Sequence, residues 1–508
     1  MSENGQSPPQ AVLRLLAMSP LDPDVCWRAC LASDRRFDGR FWVGVVTTGI
    51  YCRPICPAPK PRRRNVRFFP TAFAAAEHGF RPCLRCRPES APGSAVWRGT
   101  SVTVTRALRL IEAGALRDGG IEQLADALGV GSRQLRRLFA EHLGASPLAV
   151  AHTQRLHFAK KLVDETRLPM TEIALAAGFA SVRRFNDSFL RVYGRSPRAL
   201  RRDGAERERT TANGELRLAL AFRGVLDWDA MLAYLGPRAT PGVERVDGRT
   251  YLRTIRAGAA RGILSATVEP DGRHVVLGLR LPGPAPLHDA VRRARRMFDL
   301  DGDPAAIAQH LRRDATLGPR LRGVASLRLP CAWDPFELAV RAVLGQQISV
   351  RAATTLAGRL AARWGEPLAH AGDGSNSGPG LVFPEPRRLI DADLQTIGIP
   401  KERAETIRRV ALAFADGALD RAAATGLDAL VERLCAIPGI GEWTANYVAL
   451  RAYGEPDAFP AADLGLRKAV APDGKPVTAK RLAEIAEAWR PWRGLAAIHL
   501  WSTLEVSR

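Results

Sequence analysis

Four of the eight cysteines stand in two short pairs, Cys52-x3-Cys56 and Cys83-x2-Cys86. Thiolates at such spacing are typical ligands of a tetrahedral Zn²⁺ ion. Disulfide bonds between them would not persist in a reducing cytoplasm. The spacing therefore predicts one zinc site, and taken alone it favours a closed site that only holds a small domain together.

A proline–glycine hairpin near the C-terminus is followed by a carboxylate. Residues 434–450 predict a helix that ends at Pro438, a tight turn allowed by Gly439 and Gly441, and a second helix. Bare backbone N–H groups at the start of a helix can bind a phosphate. A protein that binds backbone phosphates in this way holds nucleic acid without reading its bases. An ordinary packing corner between two helices is the alternative. Asp463 follows, and its carboxylate can cap the next helix, face a substrate, or do both.

The hairpin followed by Pro460 and Asp463 resembles the HhH-GPD superfamily of DNA base-excision glycosylases. The resemblance implies that Asp463 is the catalytic carboxylate, which stabilises positive charge on the sugar or activates water. Bifunctional members carry a nucleophilic lysine two residues after the last hairpin glycine, and Trp443 occupies that position here. Because an indole cannot form a Schiff base with the sugar, the chain is similar to the monofunctional 3-methyladenine DNA glycosylase II.

An aromatic pocket for the damaged base is implied by the same resemblance. A base alkylated at N3 or N7 is cationic and must leave the duplex, and electron-rich rings attract a cation. Trp443, Tyr447 and Trp501 match the pocket aromatics of the family. Tyr234 lies in the stretch 227–234, which resembles the N-terminal domain of the same class, and is either a fourth pocket residue or a core aromatic.

DNA contacts of the glycosylase part are implied at two further places. Gly439 and Gly441 would bind phosphates, and Gln347 matches the wedge residue that fills the hole when a base leaves the stack. Because glutamine is polar, it would support the opened stack by hydrogen bonding rather than by packing. The hairpin carbonyls that match a Na⁺ or K⁺ site of the family belong to Cys435, Ile437 and Ile440.

The sequence around the two cysteine pairs closely resembles the N-terminal domain of the adaptive-response (Ada-type) regulator of alkylation repair. The match covers about residues 24–90, through the stretches 47–54, 65–69 and 75–86. The resemblance implies that Cys52 is both a zinc ligand and the nucleophile that takes a methyl group from a methylated DNA phosphate. Methylation would remove one negative charge from the thiolate cluster, so repulsion from DNA would fall and binding would strengthen.

DNA contacts of this domain are implied at Thr48 and Arg81, which match contact positions of the regulator. The regulator has a basic residue directly after its second ligand, where this chain has Pro57. Lys60 and the basic run 62–64 are the candidates to replace that contact.

Two similar units follow, at residues 121–139 and 170–189, and each predicts a helix, a glycine turn, a serine N-cap and a second helix. The predicted N-caps are Ser132 and Ser181, and the side chains predicted to point inward are Leu135, Leu138, Phe139, Val182, Phe185 and Phe189. The polar side chains predicted to face the DNA major groove are Arg133, Gln134, Arg136, Arg137, Arg183, Arg184, Asn186 and Asp187. The pair resembles the AraC-type regulator domain, and two merely solvated helix faces are the alternative.

Several other chemically interesting residues are predicted to pack in cores. Free thiols and indoles in apolar contexts are typically buried and inert. These residues are Cys26, Cys30, Cys331, Cys435, Trp489 and Trp492.

Length and charge bound the possibilities. At 508 residues, three or four domains are expected, and a formal net charge of +22 favours double-stranded DNA as partner, although arginine richness also follows from genome composition. No apolar run reaches the length of about eighteen residues typical of a membrane span, and the polar N-terminus is unlike a signal peptide. A cytoplasmic, nucleoid-associated bacterial protein without membrane contact is expected.

The predicted fold is multidomain and mainly α, with α+β parts. The predicted segments are a tail (1–20), a zinc-binding methylphosphotriester-acceptor domain (21–98), a tandem helix-turn-helix domain (99–202), a linker (203–213), an α+β, TBP-like domain (214–300) and an all-α HhH-GPD domain (301–508). They predict a monomeric fusion of a methylation sensor and transcriptional activator, with RNA polymerase as partner, to a glycosylase for 3-methyladenine and 7-methylguanine. The alternative is a DNA-binding regulator whose glycosylase half is inactive.

Overall fold

The computed structural model describes residues 22–34, 37–86, 88, 102–117, 119–201, 215–269, 272–284, 286–324, 326–368, 378–471 and 475–506. The chain forms two compact units, Met1–Arg207 and Glu208–Arg508, which we call unit 1 and unit 2. The predicted tail (1–20) and linker (203–213) lie outside the described residues. No helix in the described part of the chain is long and apolar enough to cross a membrane.

Unit 1 begins with a small sheet module at residues 22–88, called the N-terminal module. Its helices are α1 (Pro23–Leu31) and α2 (Ala72–Glu77), and its strands are β1 (Trp42–Val45), β2 (Ile50–Cys52), β3 (Val66–Phe69) and β4 (Arg81–Pro82). The strand order is β3-β1-β2-β4, with β2 and β4 parallel and the other pairs antiparallel. Because Tyr51 pairs with Pro82, the parallel strands place Cys52 beside Cys83 and bring the two cysteine pairs together.

The rest of unit 1 is helical and contains the two predicted helix-turn-helix units. Its helices are α3 (Val102–Glu112), α4 (Ile121–Ala127), α5 (Ser132–Leu143), α6 (Pro147–Glu165), α7 (Met170–Ala176), α8 (Val182–Tyr193) and α9 (Pro197–Leu200). The long helix α6 joins the two helix-turn-helix units. Helices α5 and α8 both end at a glycine in the left-handed region, Gly144 at φ 67° and Gly194 at φ 68°. The two helix-turn-helix units therefore have the same succession of helices in the structure as in the repeated sequence.

Unit 2 begins with a five-stranded antiparallel sheet. The strands are β5 (Leu216–Ala221), β6 (Glu244–Asp247), β7 (Thr250–Ala257), β8 (Ala260–Val268) and β9 (His274–Arg280), in the order β5-β9-β8-β7-β6. The sequence does not predict β6, because Glu-Arg-Val-Asp lacks the apolar alternation of a strand. It is an edge strand, in which Val246 pairs with Tyr251, and a charged edge resists pairing with other chains.

Helices make up most of the remainder of unit 2. They are α10 (Trp228–Leu235), α11 (Leu287–Met297), α12 (Pro304–Leu311), α13 (Pro335–Leu344), α14 (Val350–Trp364), α15 (Pro386–Ile390), α16 (Lys401–Ala415), α17 (Ala418–Thr425), α18 (Leu427–Cys435), α19 (Glu442–Tyr453), α20 (Leu464–Ala469), α21 (Ala479–Ala486) and α22 (Arg493–Val506). Short 3-10 turns in the two units are Arg63–Asn65, Gly236–Arg238, Pro319–Leu321, Leu394–Ile397 and Glu487–Trp489. A two-stranded ladder that the sequence does not predict, β10 (Glu366–Pro367) with β11 (Leu381–Val382), interrupts the helical part.

Burial agrees with most of the predicted core residues. Those confirmed as buried are Cys26, Cys30, Cys331 and Trp489. The prediction is wrong for Cys435, which is exposed: it follows the buried Leu434, and neighbouring helical side chains point about 100° apart. It is also wrong for Trp492, which is only half-buried, with its ring 5.0 Å from that of His310.

A buried charge cluster joins the sheet of unit 2 to helix α13. Arg253 Nη2 donates to Glu337 Oε2 at 2.7 Å, and its Nη1 donates to Glu244 Oε1 at 3.3 Å. Arg341 Nη1 donates to the other oxygen of Glu244 at 2.9 Å. Burial raises the pKa of Glu244, but attraction to Arg253 and Arg341 outweighs burial, and the net shift is downward. Two buried carboxylates therefore depend on Arg253.

Replacing Arg253 by methionine should lower the free energy of unfolding of unit 2 by about 3–5 kcal/mol, because Glu337 would stay buried without its partner. Urea unfolding followed by tryptophan fluorescence measures the change. Arg245→Met is the matched control on β6, since its pair with Asp247 is solvent-exposed and worth less than about 1 kcal/mol. Equal losses in the two variants would contradict a structural role for the buried cluster.

Candidate functional site

The four cysteine sulfurs of the N-terminal module meet at one point. All four Sγ atoms lie within 4.8 Å of one another, and Cys56 Sγ is 4.0 Å from Cys83 Sγ. Thiolates bound tetrahedrally to Zn²⁺ at about 2.3 Å lie about 3.8 Å apart, so the cluster fits that ion. Cys56, Cys83 and Cys86 are buried, whereas Cys52 is half-buried. Cys52 is therefore the most exposed residue of the four.

Arg53, directly after Cys52, fastens the cysteine cluster to the module. Its side chain forms two bonds with the carboxylate of Asp38, with Nε 2.8 Å from Oδ1. Its Nη1 donates to the carbonyl of Cys86 at 3.2 Å, and its backbone N–H donates to Cys86 Sγ at 3.3 Å. Such bonds orient metal ligands and stabilise thiolate charge. Neither Arg53 nor Asp38 is predicted from the sequence, where the only signal is an arginine beside a ligand.

Thr48 and Arg81, the predicted DNA contacts of the module, are both exposed. Thr48 lies in the turn between β1 and β2, where its hydroxyl donates to the carbonyl of Val45 at 3.3 Å. Arg81 opens β4, and its Nη1 is 3.1 Å from the position that a Cβ on Gly194 would take. The guanidinium of Arg81 therefore lies at the end of helix α8, and DNA contact by both residues stays a prediction.

The basic residues after the second ligand are partly used within the module. The ammonium of Lys60 donates to the carbonyl of Cys56 at 3.1 Å and to Ser33 Oγ at 2.9 Å. The guanidinium of Arg63 lies 5.1 Å from the ring centroid of Phe68. Arg62 and Arg64 are exposed and are the more accessible candidates to replace the missing contact at residue 57.

The N-terminal module packs against the helix-turn-helix units. The hydroxyl of Tyr51 is hydrogen-bonded to His157 Nε2 of helix α6 at 2.9 Å. The hydroxyl of Thr71 donates to the carbonyl of Leu143 at the end of α5, at 2.7 Å in a buried environment. Because Tyr51 directly precedes Cys52, the cysteine cluster is one residue away from a contact with the joining helix. This link is not visible in the sequence, since 106 positions separate its two residues.

The polar faces predicted to enter the major groove lie at the surface. Exposed residues are Arg133, Gln134, Arg136, Arg137, Arg183, Arg184 and Asp187, and Asn186 is half-buried. Two predictions at the helix starts are wrong, since the N-cap of α5 is Gly131 rather than Ser132, and Val182 is 36% exposed rather than inward. Ser132 and Val182 are the first residues of their helices, where the chain has not yet turned onto the core. Ser181 caps α8 as predicted, and its Oγ accepts from the backbone N–H of Arg184 at 3.2 Å.

Unit 2 contains a cavity of about 380 Å³. Its lining includes the four predicted aromatic residues and the predicted catalytic carboxylate, namely Tyr234, Trp443, Tyr447, Trp501 and Asp463. The volume lies within the range of about 300–1,000 Å³ that is typical of small-molecule sites. The lining residues therefore enclose one space that is large enough for a purine base. The first and last of the five, Tyr234 and Trp501, are 267 positions apart in the sequence.

Asp463 is held by three N–H groups. Its Oδ1 accepts from the backbone N–H of Leu466 at 2.8 Å and from Trp501 Nε1 at 3.1 Å. Its Oδ2 accepts from Trp443 Nε1 at 2.8 Å. The residue therefore caps helix α20 and lines the cavity at the same time, so the two alternatives left open by the sequence coexist. All three donors are neutral, so the carboxylate is fixed without a counter-cation in these contacts.

The aromatic rings form two sides of the cavity. The rings of Trp443 and Tyr447 are stacked, with centroids 5.3 Å apart and planes 6° apart. Tyr447 and Trp501 are tilted by 60°, with centroids 6.2 Å apart. Trp443 and Tyr447 are one turn apart on α19, which is why they share a face.

A buried guanidinium lies against two of these rings. Arg451 is 4% exposed, and it donates to the hydroxyls of Tyr234 and Tyr447, the latter at 3.2 Å. It lies 4.7 Å from the ring centroid of Tyr234, which also has Arg238 at 4.0 Å. Burial raises the pKa of Tyr447, but attraction to Arg451 outweighs burial, and the net shift is downward. Arg451 is not predicted from the sequence, where its only signal is its position four residues after Tyr447.

The hairpin between α18 and α19 leaves space at its tip. Gly439 has a φ of 94°, and a Cβ there would collide with the side chain of Thr406. Gly441 is the N-cap of α19 without a side-chain cap, and a Cβ there would meet no protein atom within 4 Å. The first N–H groups of α19 are thus accessible to an anion. The carbonyls predicted to bind Na⁺ or K⁺ belong to the same segment, at Cys435, Ile437 and Ile440.

The loop at residues 345–349, called the wedge loop, connects α13 to α14. Its Gln347 is exposed and has a φ of 60°, one of three non-glycine residues with positive φ among the described residues. This conformation costs about 1–3 kcal/mol and persists only where surrounding contacts hold it. Ile348 and Val350 are exposed apolar side chains that also line the cavity. The loop and the first residue of α14 thus present a strained polar residue and two apolar ones beside the cavity, and the wedge function of Gln347 stays a prediction.

Family comparisons assign most of the chain. The model described as "Metal binding domain of Ada" matches residues 25–89, and a "Helix-turn-helix domain" matches residues 124–203. The "AlkA N-terminal domain" matches residues 217–334, and the "HhH-GPD superfamily base excision DNA repair protein" model matches residues 340–492.

One relative spans almost the whole chain. A "Probable bifunctional transcriptional activator/DNA repair enzyme AlkA" of Mycobacterium tuberculosis is 43% identical over 486 residues, which cover 95% of this chain and 97% of the relative. The chain belongs to this family of bifunctional transcriptional activator/DNA repair enzymes. Membership confirms the predicted fusion of an Ada-type metal-binding domain, a helix-turn-helix domain and a base-excision DNA glycosylase.

Two further relatives each resemble one part of the bifunctional chain. The "DNA-3-methyladenine glycosylase 2" of Escherichia coli is 36% identical over 282 residues, covering 54% of this chain and 94% of the relative. The "Bifunctional transcriptional activator/DNA repair enzyme Ada" of Escherichia coli is 36% identical over 159 residues, covering 31% of this chain and 43% of the relative. The repair part and the regulatory part are thus separately related to two different proteins.

Acid should destabilise unit 1 through His157. Burial, followed by the charges of His152 and Lys160, lowers the pKa of His157 to about 4. An unfolded histidine has a pKa of about 6.5, so the unfolded state takes up the proton first. The stability contributed by the neutral imidazole is therefore fully present above about pH 6.5 and is lost as the pH falls towards about 4. The expected loss between about pH 7 and pH 5 is about 1–2 kcal/mol.

Thermal unfolding of the zinc-loaded protein at these two pH values measures this loss. The His157→Gln variant cannot take up a proton at this position and should lose less stability than the wild type. Because zinc ligands also titrate in acid, the quantity to compare is the difference in lost stability between the wild type and the variant. Equal losses would show that the imidazole contributes nothing to acid sensitivity.

Proposed function

We propose that unit 2 hydrolyses the N-glycosidic bond of purines alkylated at N3 or N7, such as 3-methyladenine and 7-methylguanine. The observation that carries this proposal is the Asp463 carboxylate, which is fixed by Trp443 and Trp501 inside a cavity of about 380 Å³. A damaged base must leave the stack for its sugar carbon to become reachable, and a cavity of this size can receive it.

Asp463 acts by charge. When the bond between base and sugar breaks, its electron pair leaves with the base, and the sugar becomes positive. An alkylated base is already cationic, so it departs as a neutral molecule without a general acid. The carboxylate stabilises the positive sugar, and water then adds to the sugar carbon and passes its proton to the solvent. Because the three donors to Asp463 are neutral, they orient the carboxylate without cancelling its charge.

The reaction proceeds by hydrolysis alone on this proposal. A lyase step requires an amine that attacks the sugar. Trp443 occupies the position of that lysine, with its N–H engaged by Asp463. No lysine is among the described residues that line the cavity.

The aromatic rings select a cationic base. Trp443, Tyr447 and Trp501 provide π faces at the cavity, and cation–π attraction is worth about 2 kcal/mol when desolvated. Tyr234 contributes less of this attraction, because Arg238 and Arg451 already lie 4.0 and 4.7 Å from its ring centroid. Its hydroxyl, which accepts from Arg451, instead gives the pocket a polar wall.

The hairpin and the wedge loop hold the DNA. The accessible N–H groups after Gly441 bind a phosphate, and Gly439 lets the turn close without a side chain. Gln347 enters the stack where the base has left. A Na⁺ or K⁺ ion on the carbonyls of Cys435, Ile437 and Ile440 would place a positive charge beside the same phosphate.

Asp463→Asn should lower the rate of base release at least about a hundredfold, because the amide keeps the helix cap but lacks the negative charge. Methylated DNA is incubated with purified protein, and free 3-methyladenine and 7-methylguanine are counted. Asp227→Asn is the matched control, since Asp227 also caps a helix, through the N–H of Ala230 at 2.9 Å, but does not line the cavity.

Two outcomes separate this proposal from the alternative. If the wild type releases no base, or if Asp463→Asn releases it as fast as the wild type, unit 2 is an inactive relative and the chain acts only as a regulator. Release by the wild type and by Asp227→Asn, with loss in Asp463→Asn, supports the hydrolase.

We also propose that the N-terminal module senses DNA methylphosphotriesters through Cys52. Zinc bound by Cys52, Cys56, Cys83 and Cys86 would keep all four thiols ionised at neutral pH. The sulfur of Cys52 attacks the methyl carbon, the C–O bond breaks, and the phosphate leaves as an ordinary diester. The product is a thioether at Cys52, which carries one negative charge less and repels DNA less. The half-buried position of Cys52 supports its choice over the three buried ligands.

The helix-turn-helix units would then bind promoter DNA. The exposed faces of α5 and α8 are the candidate base-reading surfaces. On this proposal residues 21–98 form the sensor, 99–202 the promoter-binding domain, and 214–300 with 301–508 the glycosylase. As an activator, the protein would act as a monomer with RNA polymerase as its partner.

Mass spectrometry after incubation with DNA that carries methylphosphotriesters should find one added methyl group, located on Cys52. Cys52→Ala should abolish the addition, whereas Cys435→Ser, which removes an exposed thiol outside the cluster, should not. A methyl group on Cys56, Cys83 or Cys86 would overturn the assignment of the nucleophile. Unspecific alkylation would instead appear on Cys435.

A further inference from the structure

The wedge loop is attached to the hairpin by the residue before the wedge. Gln346 Nε2 donates to the carbonyl of Gly439 at 3.0 Å and to Thr444 Oγ1 at 3.2 Å. Gly439 lies in the hairpin, and Thr444 is a buried residue in the first turn of α19. The side-chain amide of Gln346 therefore bonds to two residues that lie 93 and 98 positions after it in the sequence.

The backbone of the same residue is held by a second helix. Arg403 Nη2 of helix α16 donates to the carbonyl of Gln346 at 2.8 Å. Thr406, one turn further along α16, donates to the carbonyl of Pro438 at 3.1 Å. Helix α16 thus contacts both the wedge loop and the hairpin, so the two segments share one support.

These contacts explain how the unfavourable backbone of Gln347 persists. Its φ of 60° lies in the region that favours glycine, so contacts of the neighbouring residues are needed to hold the backbone there. The bonds of Gln346 and Arg403 act on the peptide unit directly before Gln347. They fix where the exposed side chain of Gln347 points relative to the hairpin.

We propose that Gln346 and Arg403 are positioning residues that set the wedge at a fixed place relative to the phosphate grip of the hairpin. This inference rests on the proposed function of unit 2. The hairpin binds the DNA backbone through Gly441 and the following N–H groups, and Gln346 transmits that position to Gln347. Base opening in duplex DNA then begins with the wedge already aligned, whereas a base in a single strand needs no wedge.

Gln346→Ala should lower single-turnover release of 7-methylguanine from duplex DNA about tenfold, because two hydrogen bonds that align the wedge are lost. Release from the same strand without its complement should change less than about twofold. Gln346→Glu, which keeps the size of the side chain but lacks the N–H donor, should behave like the alanine variant. Gln309→Ala, at an exposed position of α12, is the matched control and should match the wild type on both substrates.

A second comparison separates alignment of the wedge from general damage to the fold. Gln347→Gly removes the wedge side chain and keeps a residue that tolerates positive φ. In this background Gln346→Ala should have no further effect on duplex release, because there is no side chain left to align. Thermal unfolding of each variant accompanies the rates.

The outcomes are distinguishable from failure of the proposed function. An equal loss on duplex and single strand, or losses that add in the double variant, would overturn the positioning role while leaving the glycosylase intact. Normal duplex release by Gln346→Ala would do the same. If the wild type releases no base from either substrate, the proposed function fails and this inference fails with it.

Discussion

The carboxylate of Asp463 is held in place by dipoles rather than by an opposite charge. Two indole N–H groups and one backbone N–H reach its oxygens from helices α19, α20 and α22. An arginine or lysine at this place would fix the carboxylate equally well, but it would also neutralise the charge on which the proposed reaction depends. Neutral donors satisfy the acceptor atoms of the half-buried carboxylate and leave its charge in the cavity. This arrangement depends on how three helices pack against one another, because each of them supplies one donor.

The cavity also contains a positive group. Arg451 lies on the same face of α19 as Trp443 and Tyr447, since the three residues follow one another at intervals of four. The side chain binds tyrosine hydroxyls and a backbone carbonyl in the contacts that the structure shows. One helix therefore supplies an indole that binds the carboxylate, a second aromatic ring of the cavity lining, and a cation 5.7 Å from the centroid of that ring. The pocket is electrically asymmetric, with Asp463 and Arg451 lining one cavity.

In unit 1 the cysteine cluster lies close to the helix-turn-helix units. The parallel pairing of β2 and β4 assembles the cysteines, and the residue before Cys52 contacts the helix that connects the two helix-turn-helix units. Thr71 adds a second, buried contact to the end of α5. On the proposed function, the charge change at Cys52 would occur within a module that packs directly on the helix-turn-helix units. Electrostatic attraction to DNA and the alignment of two DNA-binding surfaces can act together.

The sequence by itself determined the order of the parts and predicted the chemistry of each. The patterns that could be interpreted without coordinates are short in range. They are the two cysteine pairs, the Pro-Gly-Ile-Gly hairpin with the later Asp463, and the two repeated helix pairs. The tertiary structure decided how distant residues meet. It placed both Trp443 and Trp501 on Asp463, added Arg451 to the pocket and Gln346 to the hairpin, and exposed Val182 and Cys435. Local spacing fixes which residues share a helix face, but not which face lies against another element; that choice depends on packing and hydrogen bonding between segments far apart in the chain.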